Sequence, residues 1–159
     1  MRELEKLLQK YEKLIYHIAR RYFQNPEDAL DASQEAAIKI YKGLKTVKIP
    51  ENGCLKAWVC TITARTCLDF LRKNRPQTLE LTEESQSTAS AEEIAATNER
   101  VQEIITAIQT LPDNYRMVII LRDMQNLSYE EIASALTINI GTVKSRLSRA
   151  RLELKRKIT

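Results

Sequence analysis

The sequence predicts an all-α protein made of two small helical domains joined by a flexible linker, the C-terminal one a helix-turn-helix. Three observations carry this expectation. Gly occurs three times and Pro four times in 159 residues, and the residues that dominate instead are those favouring helices over turn-rich sheets. Apolar residues recur at three- and four-residue steps through long stretches, as one buried helix stripe requires. One interior stretch loses that period and lacks aromatics, which divides the chain.

From Leu4 to Phe23 the residues Leu4, Leu7, Leu8, Tyr11, Leu14, Ile15, Ile18 and Tyr22 form the first stripe. Asn25-Pro26 ends it. Pro26 followed by Glu27 and Asp28 suits the first turn of a second helix, where a missing N–H costs nothing and carboxylates favour the helix dipole; that helix runs to about Leu44. Lys45 to Gly53, with Pro50 and Asn52-Gly53, reads as a loop. A third helix spans about Leu55 to Lys73 with Trp58, Ile62, Leu68 and Leu71 at apolar positions, Trp58 being expected in the core rather than as a stacking platform.

Asn74 to Ala91 is rich in Glu, Ser, Thr and Gln and opens with Arg75-Pro76, the composition of a linker. The expected division is therefore 1–75, an acidic linker 76–91, and 92–159. A helix resumes near Ala91 or Glu92 and runs through Val101, Ile104, Ile105 and Ile108 to Leu111; Pro112 opens another that carries Val118 to Leu121. Ser128-Tyr129-Glu130-Glu131 is a capping box, in which hydroxyl and carboxylate each satisfy one backbone N–H. The short helix it starts buries Ile132, Ala133 and Leu136 and ends around Thr137. Asn139 then can cap a last helix with Val143, Leu147, Ala150 and Leu154 on one side. Helix, short turn and helix make a helix-turn-helix.

Charge distribution gives this motif a use. The net charge of +4 and pI near 9.0 are modest, but Gly141 to Thr159 carries seven cations against Glu153 alone, while Pro76 to Arg100 carries six acids against Arg100. On the last helix Thr142, Ser145, Arg146 and Arg149 form a polar stripe, with Lys144 and Ser148 beside it. Arg and Lys can pair with guanine edges, and short hydroxyls fit where backbone and base lie close. Lys155, Arg156 and Lys157 suit phosphates or simply solvate the chain end.

Other chemistries find little support. Cys54, Cys60 and Cys67 are odd in number and match no metal or redox spacing, so reduced, buried thiols are expected. His17 is the only histidine and has no nucleophile or acid pair near it in sequence. Gly43, Gly53 and Gly141 are isolated, so no phosphate-cradling loop exists. The expectation is a non-enzyme without cofactor, metal or small-molecule substrate. Charges interrupt the N-terminal residues and no apolar run approaches 18 residues, which points to a cytoplasmic protein.

Leu111-Pro112-Asp113-Asn114-Tyr115-Arg116, Leu121-Arg122-Asp123, Leu127 to Ala133 and Gly141 to Arg151 together resemble the C-terminal DNA-binding domain of bacterial sigma factors of the extracytoplasmic-function group. The resemblance implies recognition of the minus-35 promoter element, with Lys144, Ser145, Ser148 and Arg149 at the family's reading positions. Asn25 to Asp31, then Gln34-Glu35 and Lys39-x-Tyr41, resembles the segment with which the family docks on the polymerase β′ subunit. Asp28, Asp31, Gln34, Glu35 and Lys39 are accordingly the expected contacts to core RNA polymerase, whose β subunit is an expected partner too.

Lys56-Ala57-Trp58 and Ile62 to Lys73 resemble the family's minus-10 segment, which implies Lys56, Arg65, Asp69, Arg72 and Lys73 as contacts to the non-template strand. One departure stands out: Ala64-Arg65 occupies the place where the family commonly has Arg-Asn. The resemblance also implies promoter DNA as the ligand and an anti-sigma factor, often membrane-anchored, as a partner. The alternative reading is a conventional helix-turn-helix regulator that binds duplex DNA without docking on polymerase. A helical adaptor binding only proteins would have little use for the basic tail.

Overall fold

The computed structural model describes residues 2–46, 54–74 and 99–158, all in helices or the short connections between them. The expected linker 76–91 and the loop 47–53 lie outside the described residues, as does the start of the helix expected from Ala91.

Three helices of 21 residues build the N-terminal part: α1 (Arg2–Tyr22), α2 (Pro26–Thr46) and α3 (Cys54–Asn74). The turn between α1 and α2 is written in Asn25-Pro26. The Asn25 side-chain oxygen accepts from the Glu27 N–H at 2.9 Å, satisfying one of the donors a helix start leaves open. Glu27 and Asp28 then sit in the first turn, where the dipole favours them.

Two of these helices run slightly past the expected ends, because polar side chains close them. The Thr46 hydroxyl donates to Gly43 O at 3.2 Å, and the Asn74 amide donates to Phe70 O at 2.9 Å, so last-turn carbonyls that apolar periodicity cannot register gain partners.

Ile15, Ala36, Ile40, Leu44, Leu55 and Val59 form a core among α1, α2 and α3, with Leu7, Leu8, Tyr11 and Trp58 packed around it. Trp58 is half-buried and lies over α2 at Gly43, so the expectation of a packing role holds. A Cβ on Gly43 would come within 2.7 and 2.8 Å of the Trp58 ring; glycine is needed here for close approach.

The C-terminal part comprises α4 (Glu99–Gln109), α5 (Asp113–Ile119) continued by a π-helical turn (Ile120–Met124), α6 (Tyr129–Leu136) and α7 (Ile140–Ile158). Pro112 stands just before α5, as its missing N–H allows. The helix was expected to carry Val118 to Leu121 in one regular run; instead it widens at Ile120. Asn126, at φ 59°, then reverses the chain in the left-handed conformation that Asn tolerates.

A second, larger core is not confined to either part. Ile18, Ala19, Tyr22, Phe23, Cys60, Ala64 and Cys67 from α1, its end and α3 join Ile108, Leu111, Met117 to Leu121, Leu127, Ile132, Val143 and Leu147. The helices on either side of 75–98 are thus packed over a common apolar surface, with α1 against α4 and α3 against α6. The buried thiols belong to it: burial pushes Cys60 up to about 11 and Cys67 up to about 12, so both are protonated and unreactive at neutral pH.

The Gly43 contact is testable. Gly43→Ala gains about 0.5–1 kcal/mol of helix propensity but overpacks the Trp58 ring, which costs about 1–3 kcal/mol. We expect a net loss of about 1 kcal/mol in urea unfolding; a net gain would mean that the indole swings aside freely.

Candidate nucleic-acid interface

The helix-turn-helix is assembled by local chemistry. The Ser128 hydroxyl accepts from Glu131 N–H at 3.0 Å, and the Glu131 carboxylate accepts from Ser128 N–H at 2.8 Å, completing the expected capping box. This fixes where α6 begins. At its other end Ile138 N–H donates to Ala133 O at 3.0 Å and Thr137 N–H to Ser134 O at 3.4 Å, the paired bonds of a Schellman turn. Such a turn needs a left-handed residue, and here it is Thr137 at φ 56°, ψ 50°. A β-branched residue is a costly occupant of that region. Asn139 stands immediately before α7, and its carbonyl accepts from Val143 N–H at 3.0 Å.

Val143, Leu147 and Ala150 are buried and anchor α7. Lys144, Ser145, Ser148 and Arg149 are exposed, while Thr142 and Arg146 are half-buried. The whole predicted minus-35 set therefore lies on one element, and four of its six members are open to solvent. Lys144 also lies 5.8 Å from the centre of the Tyr129 ring, and Arg122 stacks on that ring at 4.7 Å. α6, α7 and the π-helical turn are thereby tied into one block.

One cation of the basic helix serves a different purpose. Arg151 makes a bidentate pair with Asp123, at 2.6 and 3.2 Å, and fixes α7 against the π-helical turn. This planar, two-bond geometry takes the guanidinium away from phosphate duty. Both residues stand in the motifs quoted above, yet sequence alone gave no sign that they pair.

On α3, Asp69, Arg72 and Lys73 are exposed, and with Arg65 they fall at i, i+4, i+7 and i+8, one side of a helix. Lys56 and Arg65 both have partners in the C-terminal part. Lys56 Nζ donates to Gln125 O at 2.9 Å, Arg65 Nε to Ala135 O at 2.9 Å, and the second Arg65 donor to Ser134 O at 3.0 Å. The five residues predicted for the minus-10 strand thus share α3, but two are engaged within the molecule.

The predicted docking residues are all on α2. Asp31 and Gln34 are exposed, and Glu35 pairs with Lys39 at 3.6 Å one turn on. Burial, and then the neighbouring Asp31 and Glu27, push the Asp28 carboxyl upward, so this end of α2 holds negative charge that a cationic partner would relieve. The sequence reading missed two residues of the same helix: Leu30 is 48% and Ile38 55% exposed. An exposed apolar pair among polar contacts suits a docking face, and a break in the apolar stripe was the signal for it.

Comparison with known proteins finds two family matches along the chain. The Sigma-70 region 2 family matches residues 7–77 and the Sigma-70, region 4 family matches residues 101–154. The RNA polymerase sigma factor SigV of Bacillus subtilis is 36% identical over 85% of this chain and 78% of its own length. The ECF RNA polymerase sigma-E factor of Escherichia coli is 30% identical over 96% of this chain and 84% of its own length. The ECF RNA polymerase sigma factor SigE of Mycolicibacterium smegmatis is 28% identical over 95% of this chain, which spans 60% of that protein's length. Among solved structures, the sigma factor RpoE in complex with the anti-sigma factor NepR from Bartonella quintana has the same fold, with a TM-score of 0.78 at 23% identity, covering 99% of this chain and 98% of that one.

The turn of the motif yields a stability test. Thr137→Gly removes a left-handed strain of about 1–2 kcal/mol and gives back about 0.5–1 kcal/mol as unfolded-chain entropy. A net gain of about 0.5–1 kcal/mol is expected in denaturant unfolding; a loss would show that the Thr137 side chain makes contacts worth more than the strain.

Proposed function

Because the chain belongs to the sigma-70 family, in its extracytoplasmic-function group, we propose that it joins core RNA polymerase and directs promoter-specific initiation as an alternative-type sigma factor. In this reading the α2 face of Asp28, Asp31, Gln34, Glu35 and Lys39, with Leu30 and Ile38, docks on the polymerase β′ subunit. Lys56, Arg65, Asp69, Arg72 and Lys73 of α3 capture the minus-10 non-template strand, cations tracking the backbone while a splayed base is held. Thr142, Lys144, Ser145, Arg146, Ser148 and Arg149 of α7 read the minus-35 duplex. The units 1–75 and 92–159 act as the two readers, tethered by 76–91, so that two weak contacts reinforce each other.

The observation that carries the proposal is the presence of two different polar faces on one chain. α7 offers exposed cations and hydroxyls, as DNA demands, whereas α2 offers acids, an amide and two exposed apolar side chains, as a protein partner demands. A conventional helix-turn-helix regulator needs only the first. The chain acts by binding rather than by catalysis and works in the cytoplasm; none of its described helices is long and apolar enough to cross a membrane. The charged faces that meet polymerase and promoter are also those an anti-sigma factor would cover.

Transcription reconstituted with purified core polymerase on a promoter library tests this reading. The chain should form a complex with core enzyme and initiate from a defined promoter class; if it binds duplex DNA but initiation still needs another sigma factor, the regulator reading wins. Within that assay, Lys144→Ala and Arg149→Ala should each lose about 1–3 kcal/mol of discrimination at single minus-35 positions if they make bidentate base contacts. Equal weakening on every sequence, with a shallower salt dependence, would assign them to phosphates.

A further inference from the structure

We infer that Gly141 is the point at which the minus-35 duplex comes closest to the backbone of α7, and that its missing side chain sets how deeply this helix enters the major groove. The inference rests on the reading of α7 as the minus-35 reader given above, and it adds a residue that the reading left out.

A glycine inside a helix needs a reason, because it loses more conformational freedom on folding than any other residue and offers no side chain to pack. Two reasons can lie within a molecule. One is a backbone in the left-handed region, and the other is a neighbour too close to admit a Cβ. Gly43 shows the second, with the Trp58 ring at 2.7 and 2.8 Å from the place a Cβ would take. Gly141 shows neither. It is exposed and stands in the first turn of α7 with ordinary right-handed helical backbone. Among the described residues, a Cβ added there would meet nothing within 4 Å. The gap it leaves opens outward.

The helix face identifies what fills that gap. Ser145 and Ser148 stand four and seven residues on from Gly141, on the same side of the helix, and all three are exposed. The buried Val143, Leu147 and Ala150 mark the opposite side. Lys144 and Arg149, both exposed, flank the line of Gly141, Ser145 and Ser148 on its two sides. Gly141 therefore occupies the leading end of the face whose cations and hydroxyls suit DNA.

Dimensions make a single methyl matter here. A helix with its side chains is about 10–12 Å across, and the major groove of B-form DNA is about 12 Å wide and about 8.5 Å deep, so the fit has little slack. A Cβ on the leading face pushes the α7 backbone outward until contact returns to the ordinary separation of about 3.5–4 Å. Hydrogen bonds to base edges do not survive such a shift, since they need about 2.7–3.2 Å and a narrow range of angles. Lys155 and Arg156, at the far end of α7, carry their charges on long flexible stems and still reach phosphates. Seating depth thus governs specific binding more than non-specific binding.

The test uses the full-length chain bound to core polymerase, on duplex promoter fragments recovered from the library assay, with the minus-35 element intact or scrambled. Gly141→Ala and Gly141→Leu are the informative variants, because both introduce good helix formers and they differ in bulk. In the free chain, Gly141→Ala should make the folding equilibrium about two- to fivefold more favourable in urea unfolding. In the complex it should weaken binding to the intact element about tenfold, the size of loss that overpacking causes. Gly141→Leu should weaken it further, and binding to the scrambled element should be unchanged.

A more stable protein that discriminates worse is an outcome that a purely structural glycine does not produce. Undiminished discrimination by both variants, with the wild type preferring the intact element, overturns the role of Gly141 and leaves the minus-35 reading in place. Equal weakening on both elements also overturns it, since Gly141 would then lie against phosphates outside the groove. Lower stability of Gly141→Ala would reveal an internal need for the glycine and overturn it as well. A wild-type complex that does not distinguish the two elements removes the minus-35 reading itself, and this inference with it.

Discussion

A helix cannot satisfy the carbonyls of its own last turn, and how this molecule meets that constraint organises much of its tertiary structure. α1 ends on carbonyls that Gln109 and Arg116 reach from the far side of the 75–98 stretch, and α6 ends on carbonyls that Arg65 reaches in return. These bonds are reciprocal and lie at the edge of a continuous apolar core. Apolar burial is non-directional, so it would permit many relative placements of the helices. The end-capping donors select among them, because a planar guanidinium or amide bonds well in few orientations.

That arrangement assigns different roles to the cations of the C-terminal part, from buried Arg116 to exposed Arg151. Arg151 is spent on Asp123, Arg122 on Leu127 O and the Tyr129 ring, and Arg116 on Asp113 and the end of α1. Lys144, Ser145, Ser148 and Arg149 are among the residues that stay outward on α7. Because Val143, Leu147 and Ala150 are buried and Arg151 pairs with Asp123, the helix is held without using those four side chains.

Helix identities were legible in the sequence to within a few residues, because each rests on a local rule: the three- and four-residue apolar step, Pro in a first turn, the capping box at Ser128. The candidate minus-35 surface was legible for the same reason, since one helix carries it whole. The π-helical turn was not, as Ile120 and Leu121 satisfy the apolar period whether the backbone widens or stays regular. Nor were the bonds that Lys56 and Arg65 give to the C-terminal part. Arg65 and Ser134 are 69 residues apart, and no local pattern marks a guanidinium that will meet a backbone carbonyl. Ala64-Arg65 stood out only as a departure from a family pattern, and the reading of Arg65 as a DNA contact came from that alone.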